Sequence, residues 1–113
     1  MGWTVAAGDM QSWFYTLVGS TMTLYFDIRN TPVTVSGGLT AGLQIRIPGG
    51  FYAAYSAENA VWLYDNAVAA SGFIRASPNS PLLVVFRTDL ANYTASVAQT
   101  WVNGQISFPI RTA

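Results

Sequence analysis

The chain contains no cysteine, no histidine and no lysine among its 113 residues. Each absence removes a chemistry. Without cysteine there is no disulfide, thiolate nucleophile or thiolate metal site. Without histidine there is no imidazole base at neutral pH. Without lysine the amine that replaces histidine in some hydrolases is also missing, so none of the many serines has a partner to activate it. Charge of either sign is scarce, at 9% of residues against about 25% in ordinary soluble domains. The five cations are Arg29, Arg46, Arg75, Arg87 and Arg111. The five anions are Asp9, Asp27, Glu58, Asp65 and Asp89, so the formal net charge is zero. Nothing here builds the basic field that nucleic-acid binding needs. No apolar run approaches the ~20 residues of a membrane-spanning helix. The opening MGWTVAAGDM has neither a basic segment nor a long apolar stretch, so it does not read as a signal peptide.

What is abundant is apolar and aromatic surface. Hydrophobic residues make up 51% of the chain, with four Trp, six Tyr and six Phe. A chain of this length forms one domain with a single core, so residues 1–113 are read as one unit. The surplus apolar surface has its simplest sink in another copy of the chain, and a neutral protein repels its copies weakly.

No window shows a clear 3.6-residue period, whereas alternation is common, which points to strands. Residues 21–29, TMTLYFDIR, put Met22, Leu24, Phe26 and Ile28 on one face. Residues 12–18 precede them across Gly19-Ser20, a two-residue link of the II′ type, and a hairpin is expected. Asn30-Thr31-Pro32 reads as a turn and Val33–Val35 as a short strand, with residues 36–42 as a loop. Leu43–Ile47 is a strand with Leu43, Ile45 and Ile47 in the core, ended by Pro48, and Phe51–Tyr55 follows. Ser56–Asn59 reads as a turn, Ala60–Tyr64 as a strand and Asp65-Asn66 as a hairpin tip. Ala67–Ala76 is a strand in which Gly72 marks a bulge. Residues 77–81 are a loop and Leu82–Arg87 a central apolar strand. Residues 88–100 are left between a short helix and a long loop. Asn103-Gly104 is the strongest hairpin signal, and Gln105–Arg111 closes the chain with Ile106, Phe108 and Ile110 inward. The sum is eight to ten short antiparallel strands, read as a β-sandwich or jelly roll.

Few residues suggest catalysis. A glycosidase needs two acids flanking one bond. Asp65, Asp89 and Asp9 sit in turn-like sequence, while Asp27 is mid-strand and expected to pair with an arginine across the sheet. Calcium at Asp65-Asn66 or Glu58-Asn59 would need a ligand run that the sequence lacks. No GxSxG motif is present. Gly37-Gly38 and Gly49-Gly50 lack the companions of a phosphate loop and read as turns. Asn92-Tyr93-Thr94 matches a glycosylation sequon to which no role is given. The aromatics are more informative. If Val61 and Leu63 face inward, Trp62 and Tyr64 face outward, with Asp65 and Asn66 beside them. Such rings stack on the C–H faces of sugars while polar groups fix hydroxyls. The competing reading buries the same rings in the core or in an interface between copies. Trp13, Phe14 and Tyr15 are consecutive, so at least one of them leaves the core. Trp13, Tyr15, Tyr25 and Arg46 are the candidate interface residues; Arg46 either lies in water or, the favoured reading, pairs with an acid on its own or a neighbouring chain. No metal site and no cofactor are expected.

The order of landmarks also resembles a family. Trp3-Thr4-Val5 and Gly8-Asp9 lead into an aromatic strand and Gly19-x-Thr21-Met22-Thr23-Leu24-x-Phe26. Then come Leu43-x-Ile45-x-Ile47-Pro48-Gly49-Gly50-Phe51 and a Gly104-Gln105-Ile106-x-Phe108 close. This resembles the small C-terminal β-sandwich modules of tailed-phage virion proteins, such as tail fibres, receptor-binding tips and capsid fibres. The resemblance implies a homotrimer that folds without cofactors, sits on the virion, is made in the host cytoplasm and works outside the cell. It implies contact with a host-surface glycan or with other virion proteins, and no enzymatic activity. A purely structural trimer that stabilises a capsid or fibre is the alternative, and a small carbohydrate-active enzyme a more distant one.

Overall fold

The computed structural model describes residues 2–3, 8, 10–34, 42–91, 93 and 96–112. Expectations for Asp9, for the loop holding Gly37-Gly38 and for Asn92 and Thr94 of the sequon fall outside the described residues. Among the described residues nine strands follow one another: β1 (Gly2–Trp3), β2 (Met10–Val18), β3 (Thr21–Thr34), β4 (Gly42–Arg46), β5 (Phe51–Ala53), β6 (Ala57–Asp65), β7 (Val68–Ala76), β8 (Leu82–Arg87) and β9 (Ser96–Thr112). All pairings are antiparallel. The path runs β1-β3-β9-β6-β7-β8-β4, with β2 joined to β3 and β5 to β9. The expected all-β antiparallel class therefore holds, and the sheet curls on itself as a half-barrel.

Alternation explains the curl's contents. Met22, Leu24, Phe26 and Ile28 of β3 face inward and are buried, as are Val102, Ile106 and Phe108 of β9. Val61 and Leu63, Ile74 and Ala76, Leu83 and Val85, Leu43, Ile45 and Ile47, with Ala53 and Tyr93, complete the core among the described residues. The β2–β3 hairpin closes with Val18 opposite Thr21, as the Gly19-Ser20 link requires. Gly19 alone carries the positive φ there, 59°, which suits a type II′ turn.

Several expectations are corrected. Two strands are long, 14 residues for β3 and 17 for β9. Asn30-Thr31-Pro32 is not a turn but part of β3, where the register against β9 shifts between Ile28 and Thr31 and again before Val33. Such irregularity tolerates a proline, which has no N–H for the ladder. Thr31 is buried and its hydroxyl donates to the Thr100 carbonyl at 2.6 Å, which locks the shifted segment. Asn103-Gly104 is not a hairpin either, because β9 runs straight through it. The glycine answers to packing: a Cβ at Gly104 would stand 2.9 Å from Cγ1 of Val61. Residues 57–59 belong to β6 rather than to a turn, and the β6–β7 tip is Asn66-Ala67, one residue later than expected. Both tip residues have positive φ, 52° and 65°, as a type I′ turn demands. The second half of 88–100 is strand.

Gly72 marks no bulge, since the β6–β7 register passes it without a shift. It is buried where two neighbours converge: a Cβ there would collide with Leu63 Cδ2 and stand 2.8 Å from the backbone carbonyl of Phe86. Leucine can rotate, whereas a ladder carbonyl cannot move without breaking its strand. Gly72→Ala is therefore expected to destabilise the fold by about 1–3 kcal/mol, the usual cost of overpacking. Urea denaturation of the two proteins checks this, and an unchanged midpoint would contradict it.

Candidate functional site

The outer face of the half-barrel carries the aromatics that alternation turned away from the core. Register builds the site from three neighbouring strands. Asp27 of β3 lies opposite Asn103 of β9, and Asn103 lies opposite Trp62 of β6. One step along, Trp101 of β9 lies opposite Tyr64 of β6. Val61 and Leu63 do face inward, which leaves Trp62 56% exposed and Tyr64 half-buried beside it. The rings meet edge to face: Trp62 and Tyr64 at 6.2 Å, Tyr64 and Trp101 at 5.0 Å between centroids. This edge-to-face arrangement is the one ring quadrupoles favour.

Arg29 closes the far side. Its guanidinium sits 5.4 Å from the Trp101 ring centroid. It also donates to both oxygens of Asp27, Nε at 3.0 Å and Nη2 at 3.1 Å. The hydrogen bonds and charge of Asp27 raise the Arg29 pKa further above its ordinary value. Asp27 was expected to bind an arginine across the sheet; its partner is instead two residues along its own strand and on the same face. The result is an open shelf with an exposed indole, two supporting rings, an amide, and a carboxylate fixed by a cation. Such a shelf offers stacking to an apolar ring face and directed hydrogen bonds to neighbouring hydroxyls.

Of the four residues the sequence grouped here, the structure brings two together. Trp62 and Tyr64 share the shelf, whereas Asp65 points inward and is 4% exposed. Its Oδ2 accepts from Arg87 Nη1 at 2.8 Å, which holds it in an ion pair on the core side of β6. Asn66 is exposed at the turn. Trp101, Asn103 and Arg29 were not foreseen as site residues. The Asn103-Gly104 turn signal hid Asn103 by placing it at a hairpin tip, and Trp101 just before it was given no strand. The i, i+2 spacing of Asp27 and Arg29 on a polar strand face was the readable signal for the third.

Arg87 bridges two acids. Besides Asp65 it donates through Nε and Nη2 to Asp89, at 3.1 and 2.7 Å. Open depressions of about 400 and 190 Å³ flank it, the first lined by Ala70, Ser71, Thr88 and Asp89 and the second by Asp65, Asn66, Val68 and Ala69. A backbone hydrogen bond from Ala91 and the bond from Arg87 hold the Asp89 carboxyl below its ordinary 3.8. Tyr93, buried beside this group, donates its hydroxyl to the Val85 carbonyl at 2.9 Å. Burial, with the nearby Asp65 charge, pushes the Tyr93 pKa up.

The four candidate interface residues do not form one patch. Trp13, Tyr15 and Tyr25 lie on β2 and β3, with Tyr25 opposite Phe14 and stacked on it at 4.7 Å. Arg46 is exposed at the end of β4, the other edge strand. No family model, no curated protein and no solved structure matches the chain.

Removing Arg87 would take from buried Asp65 the cation bound to its Oδ2 and from Asp89 its two-point partner. Arg87→Ala is expected to cost about 3 kcal/mol in chemical denaturation, and an effect below about 1 kcal/mol would show Asp65 to be well solvated. Asp89 adds a pH signature. Its folded pKa lies below the unfolded value, so the unfolded chain binds the proton first. Its stabilising contribution is complete above 3.8 and is lost as pH falls through the lower folded value. Asp89→Asn should flatten the fall in melting temperature below that pH, which calorimetry along a pH series can read.

Proposed function

We propose that the protein is a non-enzymatic attachment module that binds a glycan on its outer aromatic shelf. The observation that carries this reading is Trp62: a 56% exposed indole, backed by Tyr64 and Trp101 and bordered by Asn103 and the Asp27–Arg29 pair. An exposed tryptophan costs free energy in water, and a sugar ring is an uncharged partner that uses both its face and its polar rim. The neutral, open character of the shelf suits a terminal or branching sugar better than an ionic ligand. Two further points favour binding over hydrolysis. Asp65 and Asp89 are drawn to one arginine, and Asp89 is shifted down, the opposite of what a general acid requires.

The setting we propose is a virion appendage or decoration domain of a tailed phage. The ordered landmarks from Trp3 to Phe108 support it, with the half-barrel serving as the sandwich or jelly-roll module and assembling with copies of itself. A second reading, a structural domain that only holds copies together, draws on the exposure of β2, where Phe14, Tyr15, Leu17 and Val18 are all open to water.

A glycan array followed by titration of the best hit tests the first reading. Trp62→Ala, far from the core, should weaken binding about tenfold or more while leaving the melting temperature nearly unchanged. An array without hits, or affinity indifferent to Trp62→Ala and to Trp101→Ala alike, would leave the structural reading standing.

A further inference from the structure

Among the described residues, β2 and β4 each pair with a single strand, on opposite sides of the sheet, and they are unlike. β4, of five residues, carries exposed Arg46 at its end and runs into Pro48; a charge and a proline are usual guards against edge-to-edge pairing. β2 is nine residues long, MQSWFYTLV, without a charge or a proline. Among the described residues β2 pairs with β3 alone. Its side chains are open on both faces: Met10 38%, Tyr15 39% and Leu17 45% on the side of the core, Phe14 53% and Val18 78% on the other. The backbone is also aimed. A two-residue turn closes on a hydrogen-bonded pair, here Val18 and Thr21. Alternation then directs the N–H and C=O groups of Trp13, Tyr15 and Leu17 to the outer edge.

We propose that β2 pairs antiparallel with β2 of a second copy, joining two half-barrels into one continuous twofold sheet. An isologous contact sets a strand against itself, so any charge on it would meet its own kind; β2 has none, and the whole chain has a net charge of zero. Residues 12–18 are also self-complementary. Centred on Tyr15, the pairing sets Trp13 against Leu17, Phe14 against Thr16 and Ser12 against Val18. Centred on Phe14, it sets Trp13 against Tyr15 and Ser12 against Thr16. In both, apolar or aromatic side chains meet on the core side. The open side chains supply on the order of 400 Å² per copy, about 800 Å² in all, which is below a standard interface and in the range of weak, transient contacts. The association is therefore weak and concentration-dependent. It does not depend on glycan binding, since no shelf residue takes part.

Sedimentation of the full chain over a micromolar range reads the state directly. The expected mass is twice the 12.2 kDa of one chain. Leu17→Lys, at a position already half open to water, should return it to a monomer with an unchanged far-UV spectrum. A second experiment avoids the question of folding. Because the chain has no cysteine, Phe14→Cys or Tyr15→Cys should yield a covalent dimer under mild oxidation, and Gln44→Cys on β4 should not. A monomer at every concentration, a trimer, or equal cross-linking from Gln44→Cys would overturn the proposal. Glycan titration of Leu17→Lys keeps the two readings apart: binding should persist in the monomer.

Discussion

The pairing of Thr21–Pro109 through Ile28–Val102 constrains the rest of the molecule. These segments are far apart in sequence, so joining them carries a loop-closure cost that must be met by burial along the ladder. Every second residue supplies it: Met22 against Phe108, Leu24 against Ile106, and Ile28 against Val102, all buried. A slip of one residue would turn this apolar row to water and the polar row to the core, so the register is firmly specified. The outer face inherits that precision. The register that seats Ile106 under Leu24 also brings Asp27 beside Asn103 and, through β6, Asn103 beside Trp62. The shelf is a by-product of how the core is built, and it rests on three strands rather than on mobile loops.

This coupling explains what the sequence could and could not tell. Alternation is a local property, so the inward residues of β3, β4 and the last part of β9 were legible, as was the outward turn of Trp62 and Tyr64. The hairpin at Gly19-Ser20 was legible because its turn chemistry and both flanking strands agree. Asn103-Gly104 misled because glycine has two uses. A turn wants its positive φ, and a close approach wants its missing Cβ; only the position of Val61 on another strand decides between them. Gly72 misled in the same way, its reason being Leu63 and the Phe86 carbonyl. Pro32 misled because a register shift, held by Thr31, was not readable locally. The membership of Trp101 in the shelf depends on long-range register, which no local pattern encodes.

Among the described residues, the four acids all pair within the chain. Asp27 holds Arg29, Glu58 lies 3.5 Å from Arg75, and Asp65 and Asp89 share Arg87. Three of these arginines also work through their planes or their position. Arg29 covers Trp101, Arg75 spans Phe73 and Phe86, which stack at 5.3 Å, and Arg87 caps one end of the core beside Tyr93. A guanidinium suits this use because it is planar and weakly hydrated, and a lysine ammonium does not. The absence of lysine thus agrees with a surface where cations lie flat on rings.

Such a surface is poorly suited to remaining bare. Beside the Asp27–Arg29 pair the outer face exposes Trp62, Phe14 and Val18, where charged side chains would favour a solitary, soluble module. The two open regions differ in kind. The shelf offers ring faces with an amide and a fixed ion pair but no unpaired backbone, so it suits a small polar ligand. β2 offers backbone groups in a row with neutral side chains on both sides, a geometry that another strand satisfies and a sugar cannot. Had both regions served one partner, they would share a chemistry. On the two proposals, ligand binding would fall to the middle of the sheet and self-association to the β2 edge, with Arg46 at the end of β4 exposed to water.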